Sequence, residues 1–249
     1  MIKIYEVMAV EHNLPLFFFD HITRFRDSLN EYKHFSVSEL SYTVKNLMIP
    51  FITEMGKFNL KVTYSVTDDT FSITKSLPRK PPNENYITGC KVGLFNGERK
   101  NPLIKQENSE LRDVTESICK ENNFYDLLLI NKNGMITEGS RSNFLLIDKD
   151  NRIITSPIGE ALNGITRKVI FNICREQGLV VLEKEISRSD LMSGQSLIIT
   201  GTSPEILPVA NCETKTFNVA NSIISLLQTE FKKKKLEDRD ITRKIFNGN

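Results

Sequence analysis

Histidine is scarce in this sequence. Its three copies, His12, His21 and His34, all fall in the first part of the chain, away from the serine- and threonine-rich turns of the remainder. A Ser-His-Asp triad or a His-ligated metal therefore has little to draw on. Cysteine is also sparse. Cys90, Cys119, Cys174 and Cys212 are widely separated and form no CxxC pair, so they read as buried thiols of a reducing compartment, and no metal site is expected. An excess of one charge is missing too: 33 basic against 31 acidic residues leave a net charge of +2, which gives no general attraction to nucleic acid. Long apolar runs are absent. The start, Met1 to Val7, alternates where a signal peptide would have an apolar block, and no stretch is long enough to cross a bilayer. A cytoplasmic protein without a membrane partner is expected. The one basic run, Lys232 to Lys235, follows the apolar stretch Val219 to Leu227 and is read as the solvated end of a C-terminal helix.

What is present is an ordinary globular composition, 39% hydrophobic and 26% charged, on a chain of 249 residues, enough for one large domain or two unequal ones. Ile2 to Val10 and Leu14 to Phe18 have the look of strands, and Asp20 is a suitable N-cap for a helix from His21 to about Tyr32. Ser36 and Glu39 have capping-box spacing and predict a helix reaching Pro50 or slightly beyond. Leu60 to Val66 and Thr70 to Ser76 alternate as an antiparallel pair with one covered face. Between Pro78 and Asn85 three prolines and no apolar residue exclude a helix interior or a central strand. The expected organisation is a small α/β domain over 1–78, a linker over 79–88 and a larger domain over 89–249.

Beyond the linker, strands are expected at Cys90 to Phe95, Asp126 to Asn131, Met135 to Thr137, Asn143 to Ile147, Arg152 to Thr155, Leu179 to Ile186, Ser196 to Thr200 and Ile206 to Ala210. Asn133-Gly134 is a hairpin turn. Helices are expected at Ser109 to Asn122 and from Ile165 to Gln177, the latter stopping at Gly178. No internal repeat stands out.

With few histidines and no metal cluster, electrophilic cofactor chemistry needs the least: a lysine amine that forms a Schiff base and then moves a proton. Lys105, preceded by Pro102-Leu103-Ile104, is by itself no different from the other lysines. Asn163-Gly164-Ile165-Thr166-Arg167 opens a helix with glycine and threonine, offering backbone amides and a hydroxyl to an anion such as phosphate. Gly201-Thr202-Ser203-Pro204 is a second compact turn of that kind after an apolar strand. Helix capping or a simple bend explains either turn equally well. Glu138, in Glu138-Gly139-Ser140-Arg141-Ser142-Asn143, is a carboxylate beside a glycine between two strands, free to reach into a site instead of joining the ladder.

Taken in order along nearly the whole chain, Tyr5-Glu6-Val7, Asp20-His21-Ile22-Thr23-Arg24-Phe25, Lys105, Thr137 to Phe144, Gly164 to Arg167 and Thr200 to Pro204 resemble the class IV, or fold-type IV, pyridoxal-phosphate aminotransferases. That family includes branched-chain and D-amino-acid aminotransferases and aminodeoxychorismate lyases. The resemblance implies a mixed α/β, or α+β, fold of two domains, a small N-terminal one and a larger barrel-like one with flanking helices.

It further implies that Lys105 attaches pyridoxal 5'-phosphate and carries the proton between the substrate Cα and the cofactor's C4′. Glu138 then faces the pyridine nitrogen. Arg24, Gly164, Ile165, Thr166, Gly201 and Thr202 hold the cofactor, chiefly its phosphate. His21 is read as packing, and Lys61, Arg141 and Ser203 are candidates for the substrate. An amino acid and a 2-keto acid are the expected small-molecule partners, and a homodimer is expected because these sites borrow a loop from a neighbouring subunit.

Three departures bear on specificity. Family members carry further strands before the one matching Ile4 to Val10, so the small domain is expected to be truncated at its N-terminus or completed otherwise. Where branched-chain enzymes receive the substrate carboxylate with tyrosine and arginine, only Asn59 and Lys61 align, with Tyr64 nearby. Glu110 stands where those enzymes have a tyrosine on the cofactor's O3′. A lyase outcome and a catalytically impaired cofactor-binding relic are the alternatives to a transaminase.

Overall fold

A computed structural model describes residues 2–53, 56–107 and 109–247. The chain groups into two compact units. Unit 1 comprises Met1–Arg79, Ile104–Glu107 and Lys232–Asn249, and unit 2 comprises Lys80–Leu103 and Asn108–Phe231.

In unit 1, β1 (Lys3–Glu11), β2 (Leu14–Pro15), α1 (Phe18–Leu29), α2 (Val37–Ile52), β3 (Phe58–Ser65) and β4 (Thr70–Ser76) follow in that order. The strands form an antiparallel sheet ordered β2-β1-β3-β4. Alternation along β1 puts Ile4, Met8 and Val10 on one fully buried face, where they meet Ile22, Phe25 and Leu29 of α1 and Leu40, Val44 and Met48 of α2. The capping box at the start of α2 is formed: Ser36 Oγ accepts from the Glu39 amide, and the Glu39 carboxylate accepts from the Ser36 amide. Pro50 lies inside the last turns of this helix.

Two local expectations fail here. The strand after β1 stops at Pro15, and α1 begins at Phe18 with Phe17 as its N-cap in left-handed backbone (φ 53°), so Asp20 lies in the first turn and does not cap. The cause is distant in sequence. The Phe17 amide donates to Asp238 at 2.6 Å, a carboxylate supplied from 221 residues away, which no local pattern announces.

Unit 2 begins with α3 (Asn85–Thr88) and β5 (Cys90–Asn96), then α4 (Ser109–Asn122), β6 (Asp126–Ile130), β7 (Ile136–Gly139), β8 (Asn143–Ile147) and β9 (Ile153–Thr155). It continues with α5 (Ile165–Glu176), β10 (Val181–Glu183), α6 (Arg188–Ser193), β11 (Ser196–Gly201), β12 (Glu205–Cys212) and β13 (Lys215–Thr216). One mixed sheet runs β10-β9-β8-β11-β12-β5-β6-β7, with β13 added beside β12. It curls strongly: the Ile136 amide on edge strand β7 donates to the Ile186 carbonyl, and Met135 bridges Ser187, both just past the opposite edge strand. Gly134 turns the β6–β7 hairpin at φ 78°, and Gly178 follows α5 at φ 66°.

The last helix, α7 (Ser222–Asn247), extends well beyond the basic run. Lys232 to Lys235 is thus not its solvated end. Lys235 is buried and donates to Glu11 at 3.0 Å, so one lysine of the run neutralises a carboxylate of β1. All four cysteines are free and buried. Among the described residues no helix is long and apolar enough to cross a membrane.

Candidate functional site

Unit 1 contributes a buried charge cluster. On β1, Glu6 shares the apolar face of Ile4, Met8 and Val10 and is completely buried. A carboxylate there needs partners. They come from one face of α1, where His21 and Arg24 are three residues apart. Arg24 grips Glu6 with both prongs, Nε to Oε1 at 2.7 Å and Nη2 to Oε2 at 2.6 Å, and His21 Nδ1 lies 2.7 Å from Oε2. Burial alone would raise the Glu6 carboxyl, but the Arg24 charge and the hydrogen bonds of His21 and Arg24 outweigh it and hold it down to about 2. Burial pushes the His21 imidazole below its usual range despite the bond to Glu6, with Arg24 and Lys105 adding to the push. His21 is therefore a neutral ring that gives its Nδ1 hydrogen to the carboxylate.

Lys105 is half-buried in the same unit. Its carbonyl accepts from the Tyr5 amide at 2.9 Å, its own amide donates to Ser28 Oγ at 3.3 Å, and its Nζ lies 5.0 Å from the centre of the Tyr5 ring. Lys61, on β3 opposite Val7, places its Nζ 4.7 Å from the same ring and donates to Glu107. Unit 1 thus gathers two candidate ammonium groups around Tyr5, with the Arg24 guanidinium beside the neighbouring residue of β1.

Unit 2 gathers the remaining candidates into one patch. Glu138 lies within β7, where the pairing with β6 is irregular between Leu128 and Ile130, so it belongs to the strand but falls at a break in the ladder. The side chain is almost fully buried. Oε1 is 3.1 Å from Arg99 Nε, and Oε2 accepts from the Leu162 amide at 3.3 Å. The Leu162 carbonyl in turn accepts from Asn143 Nδ2 at 2.8 Å. Two residues on, Gly164 caps α5 in extended backbone, and no side chain caps that helix start, so the amides at Ile165 and Thr166 lack intrahelical partners. Only glycine fits: a Cβ at Gly164 would fall 2.0 Å from Asn143 Oδ1. Thr166 is buried.

The second turn joins this patch through the sheet. Thr200 of β11 pairs with Asn143 of β8, and a Cβ on Gly201 would sit 3.7 Å from the Arg141 carbonyl. Thr202 and Ser203 are partly exposed in the bend leading to Glu205. The Arg141 side chain points elsewhere and donates to Glu116 on α4.

Three further residues shape these groups and were not foreseen. Glu6 had a signal, an acid alternating with apolar residues on one strand face. Arg99 had none, since it lies in an irregular stretch after β5. Asp126, buried on β6, accepts from Ser140 Oγ and Ser142 Oγ at 2.6 Å each and so shapes the turn after Glu138. Its serine partners were visible in the sequence, but their acceptor was not.

Residues 3–212 match the family model for amino-transferase class IV. The chain belongs to that family. This class IV aminotransferase is 27% identical over 232 residues to a D-alanine aminotransferase from Bacillus licheniformis, covering 86% of this chain and 80% of that one. Its fold matches that of a putative branched-chain amino acid aminotransferase from Thermotoga maritima with a TM-score of 0.81 at 21% identity, over 94% and 86% of the two chains. It also matches the PLP-bound form of a hypothetical aminotransferase from Mycobacterium tuberculosis, with a TM-score of 0.80 at 13% identity over 95% and 89%. The mixed α/β architecture with curled sheets is that of the fold-type IV enzymes.

Proposed function

We propose that this class IV aminotransferase carries pyridoxal 5'-phosphate on Lys105 and moves an amino group between an amino acid, of branched-chain or D-type, and a 2-keto acid. The observation that carries the reading is in unit 2, where the buried Glu138 carboxylate is held by Arg99 and the Leu162 amide two residues before an uncapped helix start. A fixed carboxylate acceptor and a bare set of helix amide donors are the partners that a protonated ring nitrogen and a phosphate respectively require. When bound, the cofactor supplies an electron sink for the pair left on the substrate Cα.

The chain's own groups do the rest. Lys105 gives the amine for attachment and afterwards takes the Cα proton and returns it on the cofactor side. Glu138 keeps a proton on the ring nitrogen. The amide of Ile165, the hydroxyls of Thr166 and Thr202, the close turns at Gly164 and Gly201, and Arg24 hold the phosphate. Lys61, Arg141 and Ser203 are the candidates for receiving the substrate. A cytoplasmic homodimer is part of the same reading, supported by the family resemblance.

The test is direct. Protein incubated with pyridoxal 5'-phosphate should turn yellow, and borohydride should fix the cofactor to the peptide containing Lys105. Lys105→Ala should lose that adduct and at least ~10³-fold in turnover. Single-turnover assays with L- and D-amino acids should give the 2-keto acid and the aminated cofactor. Colourless protein in excess cofactor sinks the proposal, and repeated turnover to pyruvate without a keto-acid acceptor would make it a lyase.

A further inference from the structure

Among the described residues Arg167 is the largest fully buried side chain, and it has no role in holding the cofactor. It sits on α5 one residue after Thr166. Its Nη2 donates to the Ser156 carbonyl at 2.6 Å and lies 3.3 Å from Glu183, and the guanidinium stacks 5.0 Å from the Phe171 ring centre, while Nε and Nη1 have no hydrogen-bond partner among the described residues. Leaving guanidinium donors unsatisfied in a protein interior is costly, and an apolar side chain of similar volume would pack there without that cost. What Arg167 does hold is specific. Ser156 Oγ donates to the carbonyl of Thr137, the residue directly before Glu138. Arg167, Ser156, Thr137 and Glu138 are all buried.

A short polar chain therefore runs from the first turn of α5 to the backbone that carries Glu138. It acts in addition to the Leu162 amide, which donates to the Glu138 carboxylate itself. We infer that Arg167 and Ser156 form a cross-brace that fixes the spacing between Glu138 and the α5 amides, making them positioning residues for a ligand that engages both ends at once. The inference rests on the proposed function, in which the ring nitrogen meets Glu138 and the phosphate meets α5. A rigid ligand held at two points gains from each point only if their separation is fixed; a loose separation forfeits part of the second contact. Neither Arg167 nor Ser156 touches the ligand in this arrangement.

The brace predicts a distinctive loss. Ser156→Ala removes the link to Thr137 and keeps the carbonyl that Arg167 grips, so folding should survive. Affinities for pyridoxal 5'-phosphate and for pyridoxal, which lacks the phosphate, are measured by absorbance titration of wild type and variant, alongside the melting temperature of the apo protein. The expected result is about a tenfold weaker hold on pyridoxal 5'-phosphate with the pyridoxal affinity unchanged. Arg167→Lys should show the same asymmetry; if it fails to fold, Ser156→Ala decides alone. Equal losses for both ligands, or no loss for either, overturn the brace. A wild-type protein that binds neither removes the proposed function itself, and the brace falls with it, an outcome distinct from a wild type that binds and a variant that shows no asymmetry.

Discussion

Two buried carboxylates, Glu6 in unit 1 and Glu138 in unit 2, are held by different means. Glu6 in unit 1 accepts from His21 and Arg24, side chains on one face of one helix. Glu138 in unit 2 forms an ion pair with Arg99 and accepts from the Leu162 amide, both in irregular stretches of chain. The donors around Glu6 are bound to that carboxylate through regular structure, and a phosphate drawn to Arg24 must share the guanidinium with it. The amides opening α5 carry no side-chain cap and have no such competitor. Charge is neutralised locally in the first case and backbone is kept available in the second, a division of labour suited to a strut and a cradle respectively.

The largest effect expected from this contrast is on stability. Glu6→Gln removes the buried negative charge that the part-buried Arg24 holds and should cost about 3–5 kcal/mol in urea unfolding at pH 7. Glu138→Gln in the same assay should cost less, about 1–3 kcal/mol, because Arg99 meets Glu138 through Nε where Arg24 meets Glu6 through both Nε and Nη2, and the amide side chain can still accept from Leu162; equal costs would break the comparison. The Glu6 term also has a pH signature. Its folded carboxyl titrates near 2 against an ordinary 4.5, so the stabilisation is complete above about pH 4.5 and fades as the pH falls towards 2. Glu6→Gln should flatten that part of the stability profile.

Next in size is Gly164→Ala. Its Cβ would press on Asn143 Oδ1, whose partner nitrogen holds the Leu162 carbonyl, so the cradle must shift. A loss of about 1–3 kcal/mol in stability is expected, accompanied by weaker pyridoxal 5'-phosphate binding; a variant that melts normally and binds normally would show that the close approach is dispensable. Smallest are the helix caps. Ser36 in unit 1 and Ser187 in unit 2 both anchor complete capping boxes, on a helix of 16 residues and one of 6. Ser36→Ala and Ser187→Ala should each cost about 1 kcal/mol, read as a lower melting temperature, despite that difference in length.

Legibility in the sequence followed how local each cause is. The capping box at Ser36, the antiparallel pairing of β3 with β4, the hairpin at Gly134 and the stop at Gly178 are decided by neighbours a few residues apart, and each occurs where expected, whereas β3 is buried on both faces where one covered face was expected. The start of α1 was misread because its cap is served by Asp238, and the Lys232 to Lys235 run was misread because Lys235 answers Glu11. Among the candidate residues, those in Gly-rich turns could be picked out by their backbone chemistry, and Lys105 could be picked out only by resemblance. Arg99, Asp126 and Arg167 act through partners distant in sequence, and no spacing rule links Asp126 to Ser142 or Arg167 to Ser156.

The contacts that tie α7 to the first strands and helices set an order of events in the cell. Glu11, Phe17 and Lys45 find their partners at Lys235, Asp238 and Ile245. A ribosome adding ~5–20 residues per second releases the beginning of unit 1 many seconds before those partners exist. β1 and the start of α1 are therefore completed only after α7 has been made, and until then the apolar surface that Phe246 covers against Phe18 stands open to chaperones and proteases.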